Sequence, residues 1–406
     1  MQCSIRSGAS SVLAVLLVFA SQPAQALGSA GRATSARVIP AWARKYNANC
    51  SMCHSPAVPR LNARGIQFKW AGYRMPEEIG ENAEVARLQD YFAARTRVQY
   101  AYEKPAGGPA SRNAFSIDGL SVFAGGAVGR VFGGLLEIDR AADGEVEAVV
   151  AASAVWGSER RFGGIRAGQG HMLLLGGGVA GFDRSIGLSR PLPFGSANTA
   201  LALNLGGDLA GAEAFYVVGA NRLGVQLVNS IGGGEGSAST SQDVVLSNQL
   251  MWDDAGAGIG AAVYLGRARG LSEDDPGARA RYSRVALTAN KYVGNLEVLG
   301  GYIVSRDRDL PPVNNFARPD VQGRGYWVSG QYTLRPTPLT LFARWESSDP
   351  DRDTNADADR RWVAGGVLPL NLPEYLRVAL EFRRDLPQGS LRTRRNALAA
   401  ELQLTF

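Results

Sequence analysis

Histidine, cysteine and methionine are scarce in this chain, with two, three and five residues among 406. A tetrahedral zinc centre needs four N or S donors, and so few residues of these types leave little room for one. No apolar run is long enough to cross a bilayer as a helix. The longest, Val12 to Ala20, has nine residues, whereas a spanning helix takes roughly 20. No basic block accompanies the net charge of +6; it is spread along the chain in both signs, which excludes nucleic acid as a partner. With 45% hydrophobic and 20% charged residues and no long low-complexity linker, the chain is not a disordered one.

What is abundant is glycine. Its 50 residues are nearly twice the average share, which is roughly 7%, and this favours bending strands and turns over helices. The chain reads as mainly β.

The short apolar run has the parts of a secretory signal peptide. Arg6 supplies the positive n-region, Val12 to Ala20 the h-region and Ala24-Gln25-Ala26 the small-x-small cleavage site. Residues 1–26 are therefore expected to be removed, with Leu27 starting the mature chain. Cys3 precedes the h-region and leaves with the signal, so the mature, exported chain keeps two cysteines.

Those two lie in Cys50-Ser51-Met52-Cys53-His54, the C-x-x-C-H pattern of covalent c-type haem attachment. Each thiol must reach one vinyl group of the same porphyrin while the adjacent imidazole reaches the iron. Zinc fits worse, because only His171 remains beyond His54. A thioredoxin-like redox pair would need βαβ surroundings that are absent, and a structural disulfide leaves the histidine unexplained. The sequence thus implies one covalent haem c, bound through Cys50 and Cys53 with His54 as the proximal ligand.

Around the motif the reading is of a small helical cytochrome domain, residues 27–89. Pro40 suits the first turn of a helix through Ala41–Tyr46. A second helix runs through Leu61, Ile66, Phe68 and Trp70 and ends at Gly72, its apolar side chains expected against the macrocycle. Met75 is the best-placed thioether for the distal side and would raise the reduction potential relative to two histidines. His171 and an open iron are the alternatives.

From about Asp90 to Phe406 the pattern changes to segments of roughly ten residues that alternate apolar and polar, the mark of strands with one apolar face. Leu398, Ala400, Leu402, Leu404 and Phe406 share one side of the last segment, opposite Glu401 and Gln403; Leu376, Val378, Leu380 and Phe382 share a side of the one before, opposite Arg377 and Glu381. Lipid, rather than the core of a soluble sandwich, is indicated on the apolar side by three features. Connections alternate between short (294–295, 335–338, 371–374) and long (231–241, 267–280, 305–324, 347–360); the chain stops at an aromatic; and many charges face the other side, as a wet lumen allows.

Counting forward gives five strands up to Gln169, and counting back from Phe406 gives eleven down to about Glu213. The expected fold is a transmembrane antiparallel β-barrel of 16 strands over residues 90–406, with 18 as the alternative if 170–211 holds another hairpin. If 170–211 is instead one long connection, it resembles the porin loop that folds into the lumen, and its start would bring His171 within reach of a haem held there. Acidic runs at Asp349, Asp351, Asp353, Asp357 and Asp359 and at Glu273, Asp274 and Asp275 have the oxygen donors of a cation site, but the interleaved Arg352 and Arg360 favour a solvated loop.

Signal peptide, one C-x-x-C-H, a short helical segment and then a barrel: this order resembles the fused monohaem cytochrome-porins of the bacterial outer membrane, whose best-known members are iron oxidases. The resemblance is closest in Ala43-Arg44-Lys45-Tyr46, Cys50-Ser51-Met52-Cys53-His54, Pro59-Arg60-Leu61-Asn62, Gly65, Phe68 and Gly72-Tyr73. It is looser over Asp118-Gly119-Leu120-Ser121-Val122-Phe123 and Arg166-Ala167-Gly168-Gln169. It implies electron transfer across the outer membrane of a Gram-negative bacterium, with extracellular Fe(II) as the donor, a periplasmic carrier cytochrome as the acceptor and a possible Fe(II) oxidase activity. An apolar band roughly 25 Å tall insulates that membrane, so residues 27–89 are expected to plug the lumen from the periplasmic side. The rival functions are a passive diffusion porin with a redox-sensing haem segment, outward export to an extracellular acceptor, a haem peroxidase, and a sheath for separate multihaem cytochromes.

Overall fold

The computed structural model of this chain describes residues 40–106, 111–141, 144–169, 186–195, 210–229, 242–269, 279–309, 320–354, 358–371, 375–388 and 393–406. The expected signal peptide, His171, Glu273, Asp274, Asp275 and Asp357 lie outside the described residues.

Sixteen antiparallel strands close into one barrel. In chain order they are β1 (Phe92–Pro105), β2 (Arg112–Val128), β3 (Phe132–Ala141), β4 (Val146–Ser158), β5 (Arg161–Gln169), β6 (Ala210–Val218), β7 (Asn221–Asn229) and β8 (Gln242–Met251). They continue with β9 (Gly258–Arg269), β10 (Arg279–Val293), β11 (Leu296–Arg308), β12 (Val321–Thr333), β13 (Thr340–Asp349), β14 (Asp359–Asn371), β15 (Tyr375–Pro387) and β16 (Arg395–Thr405). Each strand pairs with its neighbours in sequence, and β16 returns to pair with β1, Val98 opposite Leu402. Closure leaves no unpaired edge, which a bilayer would not tolerate.

The period-2 pattern decides which face meets which solvent. On β15 Tyr375, Arg377, Ala379 and Glu381 are buried, while Phe382 is exposed; on β16 Glu401 and Gln403 are buried beside exposed Leu402. The outward face carries an apolar belt that includes Phe115, Phe132, Trp156, Tyr216, Leu265 and Trp362. Inside, charges are paired across strands: Arg222 with Glu213 at 2.6 Å, Arg284 with Asp307 at 2.5 Å and Arg377 with Glu401 at 2.7 Å.

Short turns such as those after β2, β4, β6 and β10 lie at one end and the longer connections at the other. Several strands run further towards the long-loop end than the sequence suggests. β11 continues to Arg308, β12 starts at Val321, β13 ends at Asp349 and β14 starts at Asp359, so the two ends of 305–324 and the flanks of 347–360 are strand. The reason is that the outward residues there are charged but paired, Arg306 with Asp320 at 3.3 Å and Arg324 with Asp349 at 3.4 Å. Polarity above the apolar belt looks like loop, yet the backbone ladder continues.

β5 pairs directly with β6, so the barrel has sixteen strands rather than eighteen, and the described part of the connection between them lies inside it. Ile186 is fully buried with Phe342, Val363, Val367 and Ala379. The amides of Leu188 and Ser189 donate to Glu381 Oε2 at 2.7 and 3.2 Å, and that of Leu192 donates to Glu346 Oε2 at 2.6 Å. Arg344 Nη2 donates to the Ser189 carbonyl at 2.9 Å. Lumen charges thus satisfy backbone groups that would otherwise be orphaned in the interior.

Candidate functional site

The segment 40–91 packs inside the barrel at its short-turn end. Gly129, in the β2–β3 turn, exchanges backbone hydrogen bonds with Ala83, and Arg74 donates to the carbonyls of Arg130 and Phe132 at 2.8 and 2.7 Å. Trp42 Nε1 donates to the Gly125 carbonyl at 3.1 Å, Tyr91 Oη to that of Ala127 at 2.9 Å, and Arg166 Nη2 to that of Lys69 at 2.9 Å. Arg60, itself buried, reaches Glu297 on β11 with Nε and Nη2 at 3.2 and 2.6 Å. So short a segment could not bury enough surface alone; the barrel wall supplies the rest.

The C-x-x-C-H run forms a turn, Cys50–Met52, in which the His54 amide donates to the Cys50 carbonyl at 2.9 Å. Asn62 fixes this turn to the helix Ala63–Trp70. Its Oδ1 caps the helix through the Gly65 amide at 3.0 Å, its Nδ2 donates to the carbonyls of Ser51 and Met52 at 3.1 Å each, and its own amide donates to the Cys53 carbonyl at 3.0 Å. This multiple use of one asparagine is an N-cap put to a second task.

The helix Ala63–Trp70 begins after Leu61, which instead forms a bridge with His54, and its apolar side chains divide between two surfaces. Ile66 and Trp70, four residues apart and so on one face, pack on Val155, Phe162, Phe215, Val217 and Met251 of the barrel wall. Phe68 and Leu61 face the motif. All four were expected against a macrocycle; Leu61 and Phe68 line the cavity beside the motif, whereas Ile66 and Trp70 cover the wall, because the helix is sandwiched between cavity and wall. Gly72, with φ +73°, ends the helix in the left-handed region as expected.

Cys50, Cys53, His54 and Met75 line one cavity of about 280 Å³. Trp42, Tyr46, Phe68 and Tyr73 complete its inner wall, and the barrel contributes Phe123, Leu135, Glu137, Tyr375, Gln403 and Thr405. Trp42 stacks on Tyr73 with centroids 5.4 Å apart and meets Phe68 edge-on at 5.2 Å. The barrel residues are separated from the motif by 69 to 355 positions, and no local signal in the sequence marks them.

His54 Nδ1 lies 3.0 Å from the Arg60 carbonyl oxygen. A carbonyl can only accept, so Nδ1 carries a proton, and in the neutral ring Nε2 then holds the lone pair, the tautomer a metal-ligating imidazole requires. Met75 is buried with Phe68, Tyr73, Leu135 and Val149. Its amide donates to Glu78 Oε2 at 3.0 Å, and the Tyr46 hydroxyl donates to the same oxygen at 2.8 Å. Burial and the Glu78 carboxylate push the Tyr46 phenol well above its ordinary value, so it stays a donor. Burial likewise raises both Cys50 and Cys53 thiols, keeping them protonated.

Two thiols, one oriented imidazole and a buried thioether on an aromatic-walled cavity fit the demands of a haem c. No group of three or more His, Cys, Asp or Glu placed to hold a metal ion occurs among the described residues. In the acidic run at 349–359, Asp349 ends β13 and pairs with Arg324, and in the exposed stretch beyond it Asp351 Oδ1 accepts the Asp353 amide at 3.0 Å.

The sequence matches no family model. No curated protein matches it. Solved structures do share its fold. OmpT of Vibrio cholerae aligns at TM-score 0.51 and 13% identity over 78% of this chain and 97% of its own. An anion-selective porin from Comamonas acidovorans aligns at 0.51 and 10% over 78% and 98%. OmpF of Salmonella typhi, solved with daunomycin, aligns at 0.52 and 14% over 78% and 97%. The chain has a porin-like barrel, and the closed sheet, apolar outer belt and polar interior are those of an outer-membrane protein.

Proposed function

We propose that this protein transfers electrons across the outer membrane through a single haem c held inside its barrel, taking them from extracellular Fe(II) and delivering them to a periplasmic carrier cytochrome. The observation that carries the reading is that Cys50, Cys53, His54 and Met75 open onto one cavity whose far wall is the barrel itself. A haem bound there supplies a one-electron couple, the stoichiometry of Fe(II)/Fe(III).

The chain's own residues provide the remainder. Cys50 and Cys53 offer the thiols for attachment, His54 presents Nε2 because the Arg60 carbonyl holds Nδ1, and Met75 supplies a thioether for the opposite side. Trp42, Phe68 and Tyr73 exclude water, which favours the less charged state of a redox centre. The anchors from Arg60, Arg74 and Arg166 fix the segment at the short-turn end, the periplasmic end in barrels of this kind. A carrier in the periplasm would therefore approach residues of the segment, and the donor the long-loop side.

The barrel's likeness to porins favours a second reading, a diffusion pore whose haem segment senses redox state. Against it, the segment 40–91 and residues 186–195 both occupy the lumen, and Ala57 of the first packs in the same cluster as Ile186 of the second. Outward export to an extracellular acceptor uses the same site in the opposite direction.

The test is to purify the haem-loaded protein, oxidise it, and mix it with Fe(II) in a stopped-flow spectrophotometer beside Cys50→Ala/Cys53→Ala. Reduction of the wild type at a rate that rises with Fe(II) concentration supports the reading. Fe(II) consumption at equal rates in both samples rules it out.

A further inference from the structure

Resting on the haem reading of Cys50, Cys53 and His54, we propose that Glu297 on β11 is a positioning residue for the axial histidine, acting from the barrel wall through Arg60. The carbonyl oxygen of Arg60 lies 3.0 Å from His54 Nδ1 and also accepts the Ser55 amide at 3.2 Å. The side chain of the same residue is 4% exposed, and its Nε and Nη2 both donate to Glu297 Oε1. Glu297 is itself held: Asn290 Nδ2 donates to Oε1 at 2.8 Å and to the Gly256 carbonyl at 3.2 Å.

The carbonyl that orients the imidazole therefore belongs to a residue fixed to the barrel at its other end. Donation from Nδ1–H to a carbonyl makes the opposite nitrogen a stronger base. A stronger base stabilises ferric over ferrous iron, and so lowers the reduction potential. Loosening the carbonyl weakens that donation and lets the ring rotate.

Charge must be separated from position, because removing Glu297 alone leaves a buried guanidinium whose field would itself raise the potential. The neutral double variant Arg60→Met/Glu297→Leu removes both charges and keeps the volume filled, while Glu297→Gln keeps an acceptor oxygen in place. The measurements are covalent haem per chain, reduction potential, and the ferric EPR spectrum, which reports the plane of the axial imidazole.

In the double variant the potential rises above that of the wild type and the EPR signal shifts; in Glu297→Gln the EPR signal stays near that of the wild type. A double variant with full haem content and both wild-type potential and wild-type spectrum overturns the proposal, as does a Glu297→Gln spectrum that moves as far as the double variant's. Wild-type protein without covalent haem would instead sink the underlying reading before any variant is made. If the double variant fails to form a heat-modifiable barrel, Asn290→Ala takes its place: it changes no charge and frees Glu297, and the same two readouts decide.

Discussion

Gly65 lies against the carbonyl of Cys53 so closely that a Cβ at position 65 would overlap that oxygen and come within 2.9 Å of the Leu61 side chain. The helix can therefore approach the C-x-x-C-H turn only where it has no side chain, and Asn62 fixes the approach from the neighbouring position.

Gly65→Ala should gain about 1 kcal/mol of helix propensity and lose about 1–3 kcal/mol or more to overpacking against backbone that cannot yield. The steric cost wins. Haem content per barrel, read from the pyridine haemochrome spectrum, is expected to fall while barrel yield is kept; unchanged content would mean that the helix does not seat on the turn.

Glu213 is the carboxylate between two fully buried arginines, 2.6 Å from Arg222 and 3.8 Å from Arg166. Both guanidinium groups also lie near the Phe215 ring, at 4.8 and 5.5 Å. Glu213→Ala leaves two buried cations unpaired and should destabilise the barrel by about 3–5 kcal/mol. Heat-modifiability on gels should show a lower unfolding temperature, and adding Arg222→Met should restore part of the loss. No change in either variant would mean that water reaches this part of the lumen.

Residues 186–195 are tied to the lumen face of β13 and β15 by Glu346, Glu381, Arg344 and Arg377. The wild type should show little conductance in planar bilayers, and Glu381→Ala/Arg344→Ala should conduct in larger steps by releasing the segment. A wild type that conducts like an open porin would favour the diffusion reading.

Met75 shares its cavity with His54. Met75→His should lower the reduction potential, since a histidine favours ferric iron more than a thioether does, and Met75→Ala should make the ferrous protein bind carbon monoxide. A Met75→Ala protein that refuses added ligands would remove Met75 as the sixth ligand.

Much of this was readable from the sequence because it depends on short periods. Alternation such as Leu376, Val378 and Leu380 against Arg377 and Glu381 fixes a face, and counting such segments gives sixteen strands or eighteen, of which the closed sheet has sixteen. Cys50, Cys53 and His54 announce themselves by spacing. What the sequence hid is long-range. Nothing near Arg60 points to Glu297, and Tyr375 and Thr405 join the cavity only because the barrel closes on itself. Ile66 and Trp70 read as cofactor-facing because the wall they cover lies far along the chain. The strand ends at Arg308 and Asp349 read as loop because paired charges there imitate solvent exposure.

The most direct test of electron passage uses vesicles. The purified protein is inserted in one orientation with an oxidised cytochrome trapped inside, Fe(II) is supplied outside, and the interior cytochrome is followed by its absorbance. Reduction inside that requires the wild type, and that is absent with Cys50→Ala/Cys53→Ala, is the result this account predicts. Interior reduction at the same rate through the haem-free barrel would contradict it.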